Sequence, residues 1–267
     1  MSPAETDWNS AVGEAISALA TPLFPQSLVN ALRLVANFDH SVMFAYCGEA
    51  RPLDLFDNFP PGKRRIFITA YQEGPYMLDP FFLAGSRGVD EGLHRLRDLA
   101  PDRFYQSEYF RSYYVQTGLS EEIGFFVHLP GGVTAVISLM RADQSPQFSA
   151  KEFRDLKACE PVVGALARQH WQALHRRFSS AGTTNEGPPA IQRQIEFAFH
   201  NFGKSVLTPR EREVVEYVLK GYSSDAIGKI LEISAGTVRI HRKNIYAKLG
   251  INSQGELFSQ FIEALTK

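Results

Sequence analysis

Ile233-Ser-Ala-Gly-Thr-Val-Arg-Ile-His-Arg-Lys-Asn-Ile-Tyr-Ala-Lys-Leu-Gly250 is the most informative stretch of this 267-residue chain. Ser234 offers a hydroxyl to cap a helix and Gly250 a residue to end one, so the spacing predicts a helix over 235–249. Within it Val238, His241, Ile245 and Leu249 recur every three or four residues and make one mostly apolar stripe. Arg239, Arg242, Lys243 and Tyr246 fall toward the other side, with Ile240 beside them.

The flanking sequence carries the same punctuation. In Leu207-Thr-Pro-Arg-Glu-Arg-Glu-Val-Val215, Thr208 and Glu211 form a capping box with Pro209 at the first helical position. That helix is expected to run to about Lys220 and stop at Gly221. Ser223 caps a second helix, Ser224 to Leu231, with Ile227 and Leu231 inward, and Glu232-Ile-Ser234 is a tight turn. Ser253 and Glu256 form another capping box for a last helix ending near Leu265. Four short helices, with a three-residue turn between the second and third, describe a helix-turn-helix domain.

A major groove admits one helix, and long basic side chains on it reach base edges and phosphates. Ser234 and Thr237 at the helix start present amides and hydroxyls to a phosphate. Any one of these basic residues alone would read as a solvated helix face; together they predict a double-stranded DNA partner. The charge distribution agrees. Net charge is -1 overall, yet from Gly203 to Gly250 there are nine Lys/Arg against five Asp/Glu, and from Met1 to Phe202 eighteen against twenty-two. A basic module on an acidic body is the electrostatic footprint of a DNA-binding protein.

Leu207-Thr-x-Arg-Glu-x-Glu-Val, Gly221-x-Ser and Ile233-Ser-x-x-Thr-Val-x-x-His-x-x-Asn-Ile-x-x-Lys-Leu-Gly250 closely resemble the LuxR/GerE-type DNA-binding domain over about sixty residues. The resemblance implies that the third helix enters the major groove, with Arg239, Ile240 and Lys243 facing bases and Ser234, Thr237 and Arg242 facing the backbone. Gly228 stands where that family usually has Ala, and Gln254 where a basic residue is common. The last helix carries Leu257, Phe258, Phe261, Ile262 and Leu265, more apolar surface than a four-helix domain needs for its own core. The resemblance implies that this helix pairs two DNA-binding domains in a homodimer, matching a palindromic site; packing inward is the other reading of the same stripe.

Upstream, 178–190 is rich in Gly, Pro, Ser and Thr and reads as a linker, followed by a short helix from about Ile191 to Asn201. Three segments are therefore expected: a sensing domain over 1–177, a linker and connecting helix over 178–202, and the helix-turn-helix domain over 203–267. In the first, helical spacing marks 4–20, 25–37, 76–85, 107–117 and one long helix over 150–177. Ser41–Cys47, Leu53–Phe56, Arg65–Tyr71, Glu122–Leu129 and Val133–Met140 have strand composition, the last two around a Pro130-Gly-Gly132 hairpin signal. The fold class is α+β: an α-β-α sandwich on an antiparallel sheet, of the PAS or GAF kind, joined to an all-α module.

Tyr71-Gln-Glu-Gly-Pro-Tyr-Met-Leu-Asp-Pro80 resembles a segment of the acyl-homoserine-lactone receptors of quorum sensing, in which aromatics lead to an Asp-Pro pair and the Asp accepts a hydrogen bond from the ligand amide. The tryptophans typical of those receptors are absent; Trp8 and Trp171 lie elsewhere. The stretch 71–126 is dense in rings, and aromatics with polar tips line apolar pockets. Tyr71, Tyr76, Asp79, Phe82, Tyr105, Tyr109 and Phe126 are the candidate ligand residues, for a small-molecule effector that is an amide or an amine. Core packing accounts for the rings equally well, and an Asp-Pro pair also simply starts helices. No Lys or Arg lies between Ile66 and Ser86, so a partner for Asp79 close in sequence is missing and an external donor is expected.

Other functions find no support. The chain shows no nucleophile motif, no metal-ligand spacing, no P-loop and no acidic set of a phospho-receiver, so no enzyme and no cofactor are expected. Two distant cysteines, Cys47 and Cys159, read as reduced core thiols. No secretory signal or spanning run is present, giving a cytoplasmic protein with no membrane partner. Control by a protein partner or by Cys47 oxidation, with no pocket, is the alternative to a small-molecule effector.

Overall fold

A computed structural model describes residues 3–48, 50–72, 75–107, 110–111, 115–181 and 201–265. They fall into two compact units, one of residues 1–72, 79–99 and 118–187, the other of 73–78, 100–117 and 188–267. The connecting helix expected over 191–201 and most of the linker lie outside the described residues, as does Tyr109.

The first unit begins with α1 (Pro3–Ser17) and α2 (Phe24–Arg33), then β1 (His40–Cys47) and β2 (Leu53–Asp57). The helix α3 (Pro61–Arg64) follows, then α4 (Pro80–Ser86), β3 (Gly92–Arg95) and α5 (Leu96–Leu99). A single turn that belongs to the second unit, α6 (Val115–Thr117), precedes β4 (Leu119–Leu129) and β5 (Val133–Ala142) of the first, and α7 (Ala150–Ala158), α8 (Glu160–His170) and α9 (His175–Ala181) close the run. The five strands form one antiparallel sheet in the order β2-β1-β5-β4-β3. The α+β class is as expected.

Strand alternation gives this sheet two different faces. Met43, Ala45, Ile123, Phe125, Val127, Ala135, Ile137 and Leu139 point to one side and join a continuous core with α1, α2, α7 and α8. Glu121 on that side is buried and paired with Arg95, and its other oxygen accepts from the Phe148 amide at 2.5 Å. A buried ion pair needs such extra partners to offset its desolvation. The opposite face carries Val42, Phe44, Tyr46, Phe126, Thr134, Val136 and Ser138 in cross-strand register. α4 covers part of it: a Cβ at Gly124 would sit 2.7 Å from the Phe81 ring, so only glycine admits that ring there.

Two expectations are corrected, and one strand is added. Arg65–Ala70, expected as a strand, is a π-helical turn continuing from α3. Pro61 inside the first turn presets helical φ, and adjacent Phe67 and Ile68 are both buried, which a strand with two distinct faces would not allow. The long helix over 150–177 is three helices. Pro161 lacks the N–H that would continue α7, and the chain turns at Cys159. A second break, at 171–174, buries Trp171 and Leu174. β3 was not expected: four residues on the sheet edge, with half-exposed Gly92 and His94, carry little strand signal.

The C-terminal helices of the second unit are α10 (Pro209–Leu219), α11 (Ser224–Ile230), α12 (Ala235–Leu249) and α13 (Gln254–Leu265). Its core is Leu207, Val214, Val215, Val218, Leu219, Ile227, Val238, Ile245, Ile251, Leu257 and Phe261.

Candidate functional sites

The caps read from the sequence form as expected. The Thr208 amide donates to Glu211 Oε2 at 2.8 Å while the Thr208 hydroxyl accepts from the Glu211 amide at 3.3 Å. The Ser223 and Ser234 hydroxyls accept from Ala226 and Thr237 amides at 3.1 and 3.0 Å. Gly250 ends α12 with φ 66°, a left-handed cap that L side chains adopt poorly. Each such cap is worth about 1 kcal/mol, which matters in a module of this size.

These caps fix how α12 rolls. Val238 and Ile245 are buried, and Arg239, Ile240 and Lys243 are exposed on the opposite side, Ile240 at 61%. Arg242 is held rather than free: it donates to the Tyr246 hydroxyl at 3.1 Å and to Gln254 Oε1 at 3.4 Å. Gln254 in turn donates to the Val218 carbonyl at 3.2 Å, so this departure from the family pattern positions Arg242. Gly228 has a local use as well. A Cβ there would lie 2.7 Å from the Ile233 carbonyl, so the turn packs closer to α11 than an alanine permits. Of the candidate pairing residues on α13, Leu257 and Phe261 lie in the module's own core and Phe258 is half-buried; the Ile262 side chain lies outside the described residues.

In the first unit, Asp79 is the N-cap of α4, its Oδ1 accepting from the Phe81 amide at 2.9 Å. Its Oδ2 accepts from the Tyr71 hydroxyl at 2.6 Å, and Tyr71 lies 3.2 Å from the Tyr46 hydroxyl. Burial pushes the Asp79 carboxyl up to about 6, against the pull of its bonds from Tyr71 and Phe81. Burial also raises Tyr46 well above its usual value, helped by the charge of Asp79. Rings enclose this chain: Phe44 is 4.9 Å from Tyr71, and Phe82 meets Tyr46 edge-on at 5.4 Å. Phe126 lies edge-on to Phe81 at 5.2 Å.

Of the sequence candidates, then, Tyr71, Asp79, Phe82 and Phe126 share one sheet face. Tyr76 and Tyr105 belong to the second unit, Tyr76 buried and Tyr105 half-exposed beside Phe104 and Phe110. Tyr46 and Phe44 went unnoticed in the sequence. Their alternation with Met43 and Ala45 along β1 was the available signal, since it places both rings on the face opposite the core. Cys159 is buried, its thiol pushed up to about 11 by burial and the charge of Asp155, which makes it a poor nucleophile. Cys47 is half-buried. Among the described residues no group of His, Cys, Asp and Glu could hold a metal ion, and no helix is long and apolar enough to cross a membrane.

An antiparallel sheet with an aromatic, acid-bearing face and a helix-turn-helix with a basic third helix define a regulator class: an α+β domain joined to a DNA-binding domain. Comparison with known proteins gives the family. Residues 205–260 match the family described as "Bacterial regulatory proteins, luxR family". A protein of Aeromonas salmonicida named "Putative HTH-type transcriptional regulator in exeN 3'region" is 34% identical over 187 residues, covering 70% of this chain and 94% of that protein. The chain belongs to the luxR family and is a DNA-binding transcription regulator. A "Monoamine regulon transcriptional regulator" of Klebsiella aerogenes is 28% identical over 152 residues, 57% of this chain and 54% of that one. The first unit resembles the crystal structure of the VqsR LBD domain from Pseudomonas aeruginosa, with TM-score 0.53 and 25% identity over 61% of this chain and 96% of that one.

Proposed function

We propose that DNA binding by this regulator is controlled by a small molecule bound on the aromatic face of the sheet. The observation that carries this reading is the buried chain Tyr46–Tyr71–Asp79. Because Tyr71 donates to Asp79, the Tyr46 hydroxyl donates to Tyr71, and its own oxygen is left as an acceptor. Asp79 retains lone-pair capacity beyond its two bonds. Acceptors enclosed by Phe44, Phe82 and Phe126 suit an effector with an N–H or ammonium group on an apolar body. The name of the Klebsiella relative supports an amine over an amide. Tyr76 and Tyr105, also named from the sequence, fall in the second unit, and Tyr109 lies outside the described residues, so the reading does not draw on these three. Domain limits of 1–177, 178–202 and 203–267 belong to the same reading, as do a homodimer paired through α13 and a cytoplasmic location.

DNA is engaged through α12. Arg239, Ile240 and Lys243 read base edges, while Ser234, Thr237 and Arg242 hold the backbone; the exposure of the first three supports the division. Calorimetry with 2-phenylethylamine and its N-acetyl amide, on the full chain and on Asp79→Asn, tests effector control. Binding of the amine to the parent and its loss in the variant is the expected result. Equal binding by both proteins would leave Asp79 as a helix cap only.

A further inference from the structure

The second unit contains a segment that no helix-turn-helix residue supplies. Residues 101–107, which lie in the chain between β3 and β4, are bound to the α10–α11 turn. The Arg103 amide donates to the Gly221 carbonyl at 3.1 Å, and the Ser223 amide donates to Asp102 Oδ1 at 2.9 Å. Phe104 is buried, and Gly221, at φ +92°, lets the backbones meet: a Cβ there would lie 3.2 Å from Phe104 Cα. The backbone of residue 103 is thus fixed on the helical module by bonds that do not involve its side chain.

The Arg103 side chain lines a cleft of ≈ 280 Å³ with Ser224, Asp225, Arg239 and Arg242. Three guanidinium groups share that cleft with one carboxylate. Arg242 is committed to Tyr246 and Gln254, and Arg239 lies 3.7 Å from Asp225. Among the described residues the Arg103 guanidinium has no hydrogen bond or ion pair. Like charges gathered around an open cleft are unfavourable unless an anion joins them. The cleft is continuous with the exposed basic side of α12, which in a helix-turn-helix faces the duplex. Guanidinium groups engage phosphate in a bidentate way that a solvated surface arginine does not need.

We infer that Arg103 is a DNA-contacting residue: it adds a guanidinium to the phosphate contact of Arg242, next to the base-facing Arg239, extending the interface beyond the helix-turn-helix. The inference rests on the α12 interface proposed above. A phosphate contact carries no sequence information, so its loss is expected to weaken binding to all duplexes alike.

Fluorescence anisotropy of the full chain on a mixed-sequence 30-base-pair duplex, titrated at several potassium chloride concentrations, tests it. Arg103→Ala is expected to weaken binding about tenfold at low salt and to reduce the slope of log K against log salt by about one. Arg103→Lys, which keeps the charge, restores the slope. Lys151→Ala, at an exposed residue of α7, leaves both unchanged. Arg242→Ala separates the two readings. If it weakens binding while Arg103→Ala keeps parental affinity and slope, the inference about Arg103 is overturned and the α12 interface stands. If neither variant has an effect, the interface itself is misplaced. Tighter binding by Arg103→Ala also overturns the inference, since the segment would then screen the surface.

Discussion

Tyr71 donates its hydroxyl to Asp79 Oδ2 at 2.6 Å, across the turn that leads into α4. The sequence placed no basic residue near Asp79, and an external donor was the expected solution. Instead a neighbouring phenol and the Phe81 amide take one bond on each carboxylate oxygen. Two bonds leave about two of the four lone-pair positions of a carboxylate open. The carboxylate is therefore held by the chain itself, yet keeps acceptor capacity for a further N–H donor.

That arrangement has a pH signature. The folded chain holds the Asp79 proton up to about pH 6, whereas an unfolded Asp releases it near 3.8. The folded state binds more protons in that window, so stability falls as pH rises through it and stays lower above 6. The loss is on the order of 2–3 kcal/mol. Asp79→Asn removes it while keeping an acceptor for the cap. In urea titrations the variant is expected to gain stability over the parent at pH 7.5 and little at pH 4.5. Both tryptophans, Trp8 and Trp171, are in the first unit, so their fluorescence reports on this unit. A difference between variant and parent that is constant with pH would show that Asp79 is not buried as an ionised group.

Tyr71→Phe should act in the opposite sense. It deletes a bond to a charged acceptor, worth about 1.5–3 kcal/mol where the carboxylate is ionised. With Asp79 protonated the lost bond is an ordinary neutral one, worth roughly 0.5–1.5 kcal/mol. The variant is thus expected to be more destabilised at pH 7.5 than at 4.5 in the same titrations. The reverse ranking would mean that Tyr71 serves the ring packing with Phe44 and not the carboxylate.

How much of this was legible follows from where the signals live. The helical module was readable because its punctuation is local: Thr208 with Glu211, Ser234 with Thr237 and Gly250 each act within a few residues. The hairpin at Pro130–Gly132 was readable for the same reason, and both its glycines have positive φ. Arg65–Ala70 misled because β-branched and aromatic composition describes how residues pack, and here Phe67 stacks on Phe59 at 3.9 Å from a helix. Tyr46 was missed since its partner Tyr71 lies 25 residues away, and nothing local joins β1 to the π-helical turn. Asp102 and Ser223 are 121 residues apart, beyond any sequence pattern.

On DNA, side chains of α12 are expected to divide by exposure. Arg239→Ala and Lys243→Ala should each cost about 1–3 kcal/mol at the specific site and less on unrelated sequence. Arg242→Ala should weaken all sequences similarly. Gln254→Ala should reproduce a fraction of that loss, because Gln254 only holds Arg242 in place. Gel-shift titrations at fixed salt measure all four. Unchanged specific affinity in both Arg239→Ala and Lys243→Ala would remove α12 from the major groove.

The apolar stripe of α13 is expected to split in the same manner. Leu257 and Phe261 are each 1% exposed within the module core, with Phe261 edge-on to Phe202 at 5.6 Å. Alanine at either deletes buried methylenes and leaves a cavity, costing about 2–5 kcal/mol, a large part of what so small a module has. Such variants should lose helical signal on mild heating and lose DNA binding with it. Phe258 packs only partly on that core, so Phe258→Glu should retain the helical signal and act on association. Sedimentation of the full chain on a palindromic duplex is expected to show the parent loading as a dimer and Phe258→Glu as a monomer. A folded Phe258→Glu variant that still loads as a dimer would mean that α13 serves its own module alone and that pairing, if it occurs, is made by another surface.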